Sequence, residues 1–217
     1  MTTPQEIYYQ NKLELVKKAL EANQFEASVH ETLEGAEEYL IGTIVPSGPH
    51  VSAAFGGSAT VAASNIVARL RAIPGMEVID RNDPALPAEE RAALTRRSII
   101  VDLFVASSNA VTQDGQLVNI DKFGNRVAAI AYGPKKVALF VGRNKIVPEL
   151  QGALERAKAT AAAMNAIRLK QDTPCARTAK CHDCHGASRL CGVTVITQRS
   201  FPPGRIHVLL INQDLGF

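Results

Sequence analysis

The sequence predicts an α/β domain with a mostly parallel sheet flanked by helices. The segments 101–106 and 137–141 are continuous apolar runs, which are typical of strands buried on both faces of a parallel sheet. Helical patterns alternate with strand patterns along the rest of the chain. The chain has 217 residues, 46% of them apolar, and it contains no internal repeat or linker, which predicts a single domain around one buried core.

The first half of the chain is predicted to supply four helices and three strands. A helix is expected over about residues 5–22, because Leu13, Val16 and Leu20 recur on one face among lysines and glutamates. The pattern then predicts, in order, a strand at 27–30, a helix at 32–44, a strand at 51–55, a helix at 59–72, a strand at 76–80 and a helix at 87–98.

The second half holds the two core strands. It is predicted to contain, in order, the strand 101–106, the strand 137–141, an Ala-rich helix from Pro148 to about Leu169, a cysteine-rich loop at 175–191, and closing strands at 193–197 and 206–211. Between the core strands, Asp114-Gly115 predicts a hairpin turn. Gly124-Asn125 and Gly133-Pro134 mark turns around one more strand.

A glycine-rich segment lies between the strand at 51–55 and the helix at 59–72. Two glycines let the backbone approach a ligand closely, and the amides at the start of a helix are unpaired donors. With two added hydroxyl groups, the segment predicts a phosphate or carboxylate site formed by Gly56, Gly57, Ser58 and Thr60. The alternative is a tight turn from strand to helix, in which Ser58 caps the helix.

A run of basic residues without an acidic one extends over residues 122–145. It produces a local positive field suited to anionic ligands. Its members are Lys122, Arg126, Lys135, Lys136, Arg143 and Lys145. The alternative is a solvated surface whose counter-ions lie elsewhere in the fold.

Polar side chains follow the core strand 101–106, at the edge where open α/β sheets bind their ligands. They are Ser107, Ser108, Asn109, Thr112, Asn119, Asp121 and Asn125. Asp121 is the acidic residue nearest in sequence to the basic run, which makes it a candidate general base. The alternative role for Asp121 is a helix cap or a salt bridge.

All four cysteines lie within seventeen residues, at Cys175, Cys181, Cys184 and Cys191. Thiolate is the ligand that zinc and iron–sulfur clusters share, so this spacing predicts one zinc ion or one cluster held by all four. Residues 181–185 also match the attachment signature of c-type haem, although haem leaves the other two cysteines unexplained. Free, buried or redox-active thiols are the remaining alternative.

The composition argues against several classes of protein. A net charge of +3, no Trp and few aromatic residues argue against a nucleic-acid partner. The first residues lack the basic-then-apolar pattern of a signal peptide, and no apolar run reaches the ~18 residues of a membrane span. We therefore expect a cytoplasmic protein without a membrane partner, in which thiols stay reduced and a metal site is favoured over disulfides.

Six short motifs together resemble the LUD domain, a family named for lactate utilisation. They are Phe55-Gly-Gly-Ser-Ala-Thr60, Ser108-Asn-Ala-Val-Thr112, Asp114-Gly-Gln-Leu-Val-Asn119, Gly124-Asn-Arg-Val127, Tyr132-Gly-Pro-Lys-Lys-Val137 and Gly142-Arg-Asn-Lys145. The resemblance extends to the cysteine run and to the tail that ends at Phe217. It implies a three-layer fold like that of the ribose-5-phosphate isomerase and CoA-transferase group. The last motif adds Asn144 to the candidate ligand-binding residues.

Two functions are expected from these features. The first is binding of a small anionic ligand, whether phosphorylated, carboxylated or CoA-like, in the utilisation of lactate or another organic acid. The second is a redox accessory protein that carries a metal ion or an iron–sulfur cluster on the four-cysteine loop and has iron–sulfur companion proteins as partners. A binding module without turnover is a third alternative, and the sequence leaves the oligomeric state open.

Residues 106–119 are also similar to a segment of sugar-phosphate aldose–ketose isomerases, such as methylthioribose-1-phosphate isomerase. Those enzymes use an Asp for proton transfer, and Asn109 stands at the matching position. An amide does not take up a proton at neutral pH. We therefore expect no isomerase activity.

Overall fold

Six parallel strands form the main sheet within residues 3–81 and 85–217, the ranges that the computed structural model describes. In chain order the strands are β1 (Glu26–His30), β2 (Ser52–Phe55), β3 (Glu77–Ile79), β4 (Leu103–Ala106), β5 (Ala110–Thr112), β6 (Leu117–Asp121), β7 (Lys136–Gly142), β8 (Ile146–Val147), β9 (Val193–Thr197) and β10 (Ile206–Ile211). The main sheet has the order β1-β10-β7-β4-β2-β3, and a smaller mixed sheet has the order β8-β5-β6-β9. The predicted α/β class is confirmed.

The helices pack around these two sheets. They are α1 (Pro4–Ala22), α2 (Leu33–Tyr39), α3 (Ala59–Ala62), α4 (Ile66–Arg71), α5 (Ala88–Arg97), α6 (Asn125–Ala131), α7 (Leu150–Glu155), α8 (Ala163–Arg168) and α9 (Pro174–Thr178). A π-helical segment, Leu40–Ile44, continues α2, and another, Arg156–Ala162, joins α7 to α8. No helix within the described ranges is both long enough and apolar enough to cross a bilayer.

The main sheet lies between two helical layers, because alternate side chains of a strand point to opposite faces. In β4, Phe104 and Ala106 pack with α1, α6 and the smaller sheet. Leu103 and Val105, on the other face of β4, pack with α2 and α4. The structure therefore has the three-layer arrangement that the resemblance implied.

The segment between residues 124 and 134 is a helix, α6, where the sequence analysis predicted a strand. Asp121 explains the difference, since its Oδ2 accepts hydrogen bonds from the backbone nitrogens of Arg126 (2.9 Å) and Val127 (3.0 Å). These bonds satisfy amides at the start of the helix that have no partner inside it. A short apolar run does not by itself distinguish a strand from one turn of buried helix.

Two predicted helices also differ from those observed. The helix predicted over 59–72 is divided into α3 and α4, because the backbone nitrogen of Asn65 donates to Glu37 Oε1 (2.9 Å) and α4 starts anew from there. The Ala-rich helix begins at Leu150 and not at Pro148, because Glu149 is extended, with φ −146° and ψ 170°. Of the two closing strands, β10 lies in the main sheet and β9 in the smaller one.

Candidate functional site

A cleft of about 920 Å³ opens at the carboxyl ends of β2 and β4. Its walls come from the glycine-rich segment after β2, the polar segment after β4, the end of β6, and the helices α5 and α8. The candidate residues that line it are Gly57, Ser58, Ser107, Ser108, Asn109, Asp121, Lys122, Asn125, Arg126 and Lys145. The fold thus brings together residues from segments that are far apart in the sequence.

Lys145 is a buried cation at this cleft. Its Nζ donates to Thr60 Oγ1 (2.9 Å) and to Ser107 Oγ (2.8 Å), and only 3% of the residue is exposed. Burial, followed by the positive charges of Arg156 and Arg126, lowers the pKa of Lys145 to about 7. No carboxylate within the described ranges forms an ion pair with Lys145 or raises its pKa. Near neutral pH this side chain therefore exists both as an ammonium group and as a free amine.

Arg126 lines the cleft, but its guanidinium group already donates hydrogen bonds to other residues of the protein. Nε lies 3.0 Å and NH2 2.7 Å from Asp121 Oδ1. NH1 donates to Ser107 O (2.9 Å) and to Asn119 Oδ1 (2.6 Å), and NH2 donates to Asn109 Oδ1 (2.8 Å). Arg126 therefore fixes the floor of the cleft, and it has few donors left for a ligand.

Asp121 acts as a helix cap and salt-bridge partner, the alternative to a general base in the sequence analysis. One carboxylate oxygen caps α6, and the other contacts the guanidinium of Arg126. A general base must hydrogen-bond the proton that it removes. This geometry favours Asp121 as a helix cap and ion-pair partner over Asp121 as a base.

Asn109 and Asn119 complete the floor. Asn109 Oδ1 accepts from the backbone nitrogen of Ile120 (2.9 Å), whereas its Nδ2 donates to no residue of the described ranges. Asn119 is fully buried, and its Oδ1 accepts from the backbone nitrogen of Asn109 (3.2 Å). Asn109 therefore offers the cleft an amide donor, and Asn119 supports it from below.

Two residues of the glycine-rich segment lie beneath the cleft surface. A Cβ atom on Gly56 would lie 3.0 Å from Cγ and Cδ of Arg126 and from Cβ of Ala106, so a larger residue here would press against the arginine side chain. Thr60 is fully buried and donates to Leu215 O (3.3 Å). Ser58 caps α3 through the backbone nitrogen of Val61 (3.3 Å), as its alternative role required.

Asn144 anchors the C-terminal segment. Its Oδ1 accepts from the backbone nitrogen of Leu215 (3.1 Å), and its Nδ2 donates to Gly216 O (3.4 Å). The segment held in this way brings Phe217 to the wall of the cleft. Asn144 itself does not line the cleft.

Lys135 and Lys136 lie away from the cleft, and the structure does not bring them together with Gly57. Lys135 Nζ lies 2.7 Å from Asp102 Oδ1, and Lys136 pairs with Glu26. Both lysines are at the amino end of β7, and a strand of seven residues separates that end from Lys145 by about 20 Å. The basic run therefore extends between the amino ends of the strands and their carboxyl ends, where the cleft lies.

Asp102 and Thr112 have roles outside the cleft. The hydrogen bond from Lys135 is the main cause that lowers the pKa of Asp102 to about 2. Oδ2 of Asp102 also accepts from the hydroxyl of Ser52 (2.9 Å). Thr112, a candidate ligand residue, donates to Asp114 within the hairpin turn.

Arg81 lines the cleft but was not among the sequence candidates. Its Nε is buried without a hydrogen-bond partner in the described ranges. With the Asn125 amide oriented to satisfy its neighbours, the side-chain oxygen accepts from NH1 (3.0 Å) and NH2 (3.2 Å) of Arg81. Its position just after β3, at the same carboxyl edge, is the signal that would have found it.

A second, small cavity of about 20 Å³ is lined by all four cysteines. None of the four is in a disulfide. Burial, followed by the nearby thiol of Cys181, raises the pKa of Cys191. Four thiols around one space suit a thiophilic ion, although within the described ranges no three potential ligands already form a metal-binding group. The volume fits one ion better than a cluster of several iron and sulfur atoms.

The cleft and the cysteine cavity share a wall. Ala162 and Leu190 line both spaces. Beside Leu190, Arg189 donates from Nε to Cys191 O (2.8 Å) and from NH2 to Asp183 Oδ1 (2.9 Å). The cysteine loop therefore positions a side chain that faces the cleft.

The chain matches a protein-family model and is similar to a protein of known structure. The model of the LUD domain family matches residues 13–211, a range that includes the cleft and the cysteine loop. A DUF162 family protein from Deinococcus radiodurans, known from a crystal structure, is similar with 13% sequence identity and a TM-score of 0.49. That comparison covers 94% of this chain and 98% of the other. No curated protein matches the chain.

Proposed function

This chain belongs to the LUD domain family, and we propose that it binds a small anionic ligand in the cleft at the carboxyl edge of its main sheet. The ligand is phosphorylated, carboxylated or CoA-like. The association of the family with lactate utilisation supports a role in the use of lactate or another organic acid.

One observation carries this proposal: Lys145 is buried at the cleft without a carboxylate partner in the described ranges. An ammonium group in a poorly hydrated site is unfavourable unless an opposite charge reaches it. A bound anion supplies that charge. Arg81 adds a second cation, with a buried Nε that has no hydrogen-bond partner among residues 3–81 and 85–217.

Ligand-dependent stabilisation tests the proposal. We expect inorganic phosphate, lactate or coenzyme A to raise the melting temperature at constant ionic strength, since a ligand at 100 times its Kd stabilises by about 2.7 kcal/mol. Lys145→Met preserves the side-chain volume and removes the charge, and it should abolish this shift.

Lys135→Met is the matched control, because it removes a lysine of the same basic run whose side chain is 67% exposed at the other edge of the sheet. This variant should keep the full ligand-dependent shift. Equal ligand-dependent increases in melting temperature in the two variants would rule out a site at Lys145.

A second candidate function is a redox accessory protein that carries a metal ion or an iron–sulfur cluster. The convergence of all four cysteines on one cavity favours it. Cys175, Cys181, Cys184 and Cys191 would hold the group, which would supply either structural cross-linking, as zinc does, or electron transfer, as a cluster does. Iron–sulfur companion proteins would be its partners in the second case.

Metal analysis and visible absorption of protein purified without oxygen distinguish these cases. Zinc without visible absorption indicates a structural ion, and iron with sulfide and broad visible absorption indicates a cluster. Protein that contains neither, and that binds neither on reconstitution, would exclude this second function.

A further inference from the structure

We propose that Lys145 is a nucleophile that condenses with the carbonyl group of a small aldehyde or ketone carrying a carboxylate or phosphate group. The inference rests on the proposed function, because the cleft must first admit the anion. It goes further in assigning covalent chemistry to one side chain and a class of substrate to the site.

The hydrogen bonds of Lys145 leave one direction of its nitrogen open. Thr60 donates its own hydroxyl proton to Leu215 O, and Ser107 donates its proton to Ser108 O (3.3 Å). Both hydroxyl oxygens are therefore acceptors towards Nζ. A neutral amine has two N–H bonds and one lone pair, so these two acceptors take the N–H bonds and leave the lone pair for a third partner.

The surroundings of Lys145 favour the neutral amine that this chemistry requires. The side chain is buried, Arg126 and Arg156 are near, and no carboxylate within the described ranges raises the pKa of Lys145. With a pKa of about 7, about half of the amine is unprotonated at neutral pH. For an ordinary lysine this fraction is roughly one in a few thousand.

The reaction balances without an oxidant or reductant. The lone pair of Nζ attacks the carbonyl carbon and forms a C–N bond, while the π electrons of the C=O bond move to oxygen. Two protons pass from nitrogen to that oxygen, which leaves as water, and an imine remains on Lys145. The amide Nδ2 of Asn109 and the hydroxyl of Ser58, both at the cleft, can hydrogen-bond the oxygen as it gains charge.

The positive charges around the cleft indicate the rest of the substrate. Arg81, Arg96 and Arg168 line its walls from other elements than Lys145, namely the segment after β3, α5 and α8. Guanidinium groups bind carboxylate and phosphate well, because their planar donors match the oxygens of both. A carbonyl compound bearing one of these groups is therefore held at one end while its carbonyl carbon meets the amine.

Reductive trapping tests the inference with a matched pair of probes. Pyridoxal 5′-phosphate and 5′-deoxypyridoxal carry the same aldehyde, and the second has a methyl group in place of the phosphate ester, so neither closes to the cyclic hemiacetal that pyridoxal forms. The protein is incubated with each probe at pH 7 with cyanoborohydride, and the modified lysines are identified by peptide mass spectrometry. We expect the phosphorylated probe to label Lys145 at least about tenfold faster than the exposed Lys135, because about half of the Lys145 amine is neutral at this pH, whereas Lys135 lies outside the cleft and is paired with Asp102.

The controls separate this inference from the anion site. Excess inorganic phosphate should slow labelling of Lys145 and leave Lys135 unchanged, and Lys145→Arg should abolish the labelled peptide while keeping a cation in the cleft. If phosphate stabilises the protein but Lys145 is not labelled, the proposed imine formation is contradicted and the proposed anion site is retained. Equal labelling by both probes overturns the assigned substrate class. If phosphate neither binds nor protects and Lys145 is unreactive, both proposals are wrong.

Discussion

Replacing Lys145 with Met should stabilise the protein, in contrast to the usual effect of changing a buried residue. In the folded protein the pKa of Lys145 is about 7, against an ordinary value of 10.5. At 1.36 kcal/mol per pKa unit, this difference corresponds to about 5 kcal/mol of unfavourable free energy for the charged form, as an upper bound. Methionine fills a similar volume. The hydroxyl groups of Thr60 and Ser107 still donate to the carbonyl oxygens of Leu215 and Ser108, so the substitution leaves neither hydroxyl proton without an acceptor.

The stability difference should depend on pH in a defined direction. Between pH 7 and 10.5 the unfolded chain holds a proton on Lys145 that the folded protein has released, so the stability of the wild type rises with pH. The advantage of Lys145→Met is therefore full below pH 7 and shrinks by about 1.4 kcal/mol per pH unit above it.

Urea unfolding followed by far-UV circular dichroism at several pH values between 6 and 10 measures this difference. Lys135→Met serves as the control, since it removes an exposed lysine that is paired with Asp102. A constant difference between wild type and Lys145→Met over this range, or a destabilised variant at every pH, would refute a buried, unpaired ammonium group.

Three further predictions concern other parts of the molecule. Asp102→Asn should lower the free energy of unfolding by up to about 2 kcal/mol at pH 7. This loss should disappear as the pH falls through about 4 to 2, because the folded carboxylate has a pKa of about 2. Urea titrations at these pH values measure the difference. Cys181→Ser should lower metal occupancy and melting temperature after anaerobic purification, whereas His185→Ala, in the same loop but outside the cavity, should change neither. Pentose and methylthioribose phosphates should not be isomerised, because Asn109 offers no base and Asp121 is bound by the start of α6; turnover that vanishes in Asp121→Asn would contradict this.

The core of the fold could be predicted from the sequence because its strands are long apolar runs. β4 and β7 lie within or around the predicted segments, since strands buried on both faces need apolar residues at every position. The helix α6 could not be predicted, because its start depends on a carboxylate of the preceding strand that satisfies two of its amides. Such a contact leaves no periodic pattern in the sequence.

The candidate site was predictable in part, for a similar reason. Lys135, Lys136 and Lys145 belong to one basic run, and composition alone treats them as equal. What separates Lys145 is its position beyond the carboxyl end of β7 and its burial against Thr60, which depend on how the strand is placed in the sheet. Arg81 was missed because it stands alone among turn residues, and only the sheet order brings it to the cleft.

Because Ala162 and Leu190 line both cavities, a displacement of either side chain would change the shape of both spaces. If an ion drew the four thiols inward and moved Leu190 with them, the affinity of the cleft for its anion would change. The anion must then change the affinity for the ion by the same factor, and a coupling of 1–3 kcal/mol corresponds to about 5–150-fold. Coupling of this kind requires that Leu190 or Ala162 take different positions with the ion bound and without it.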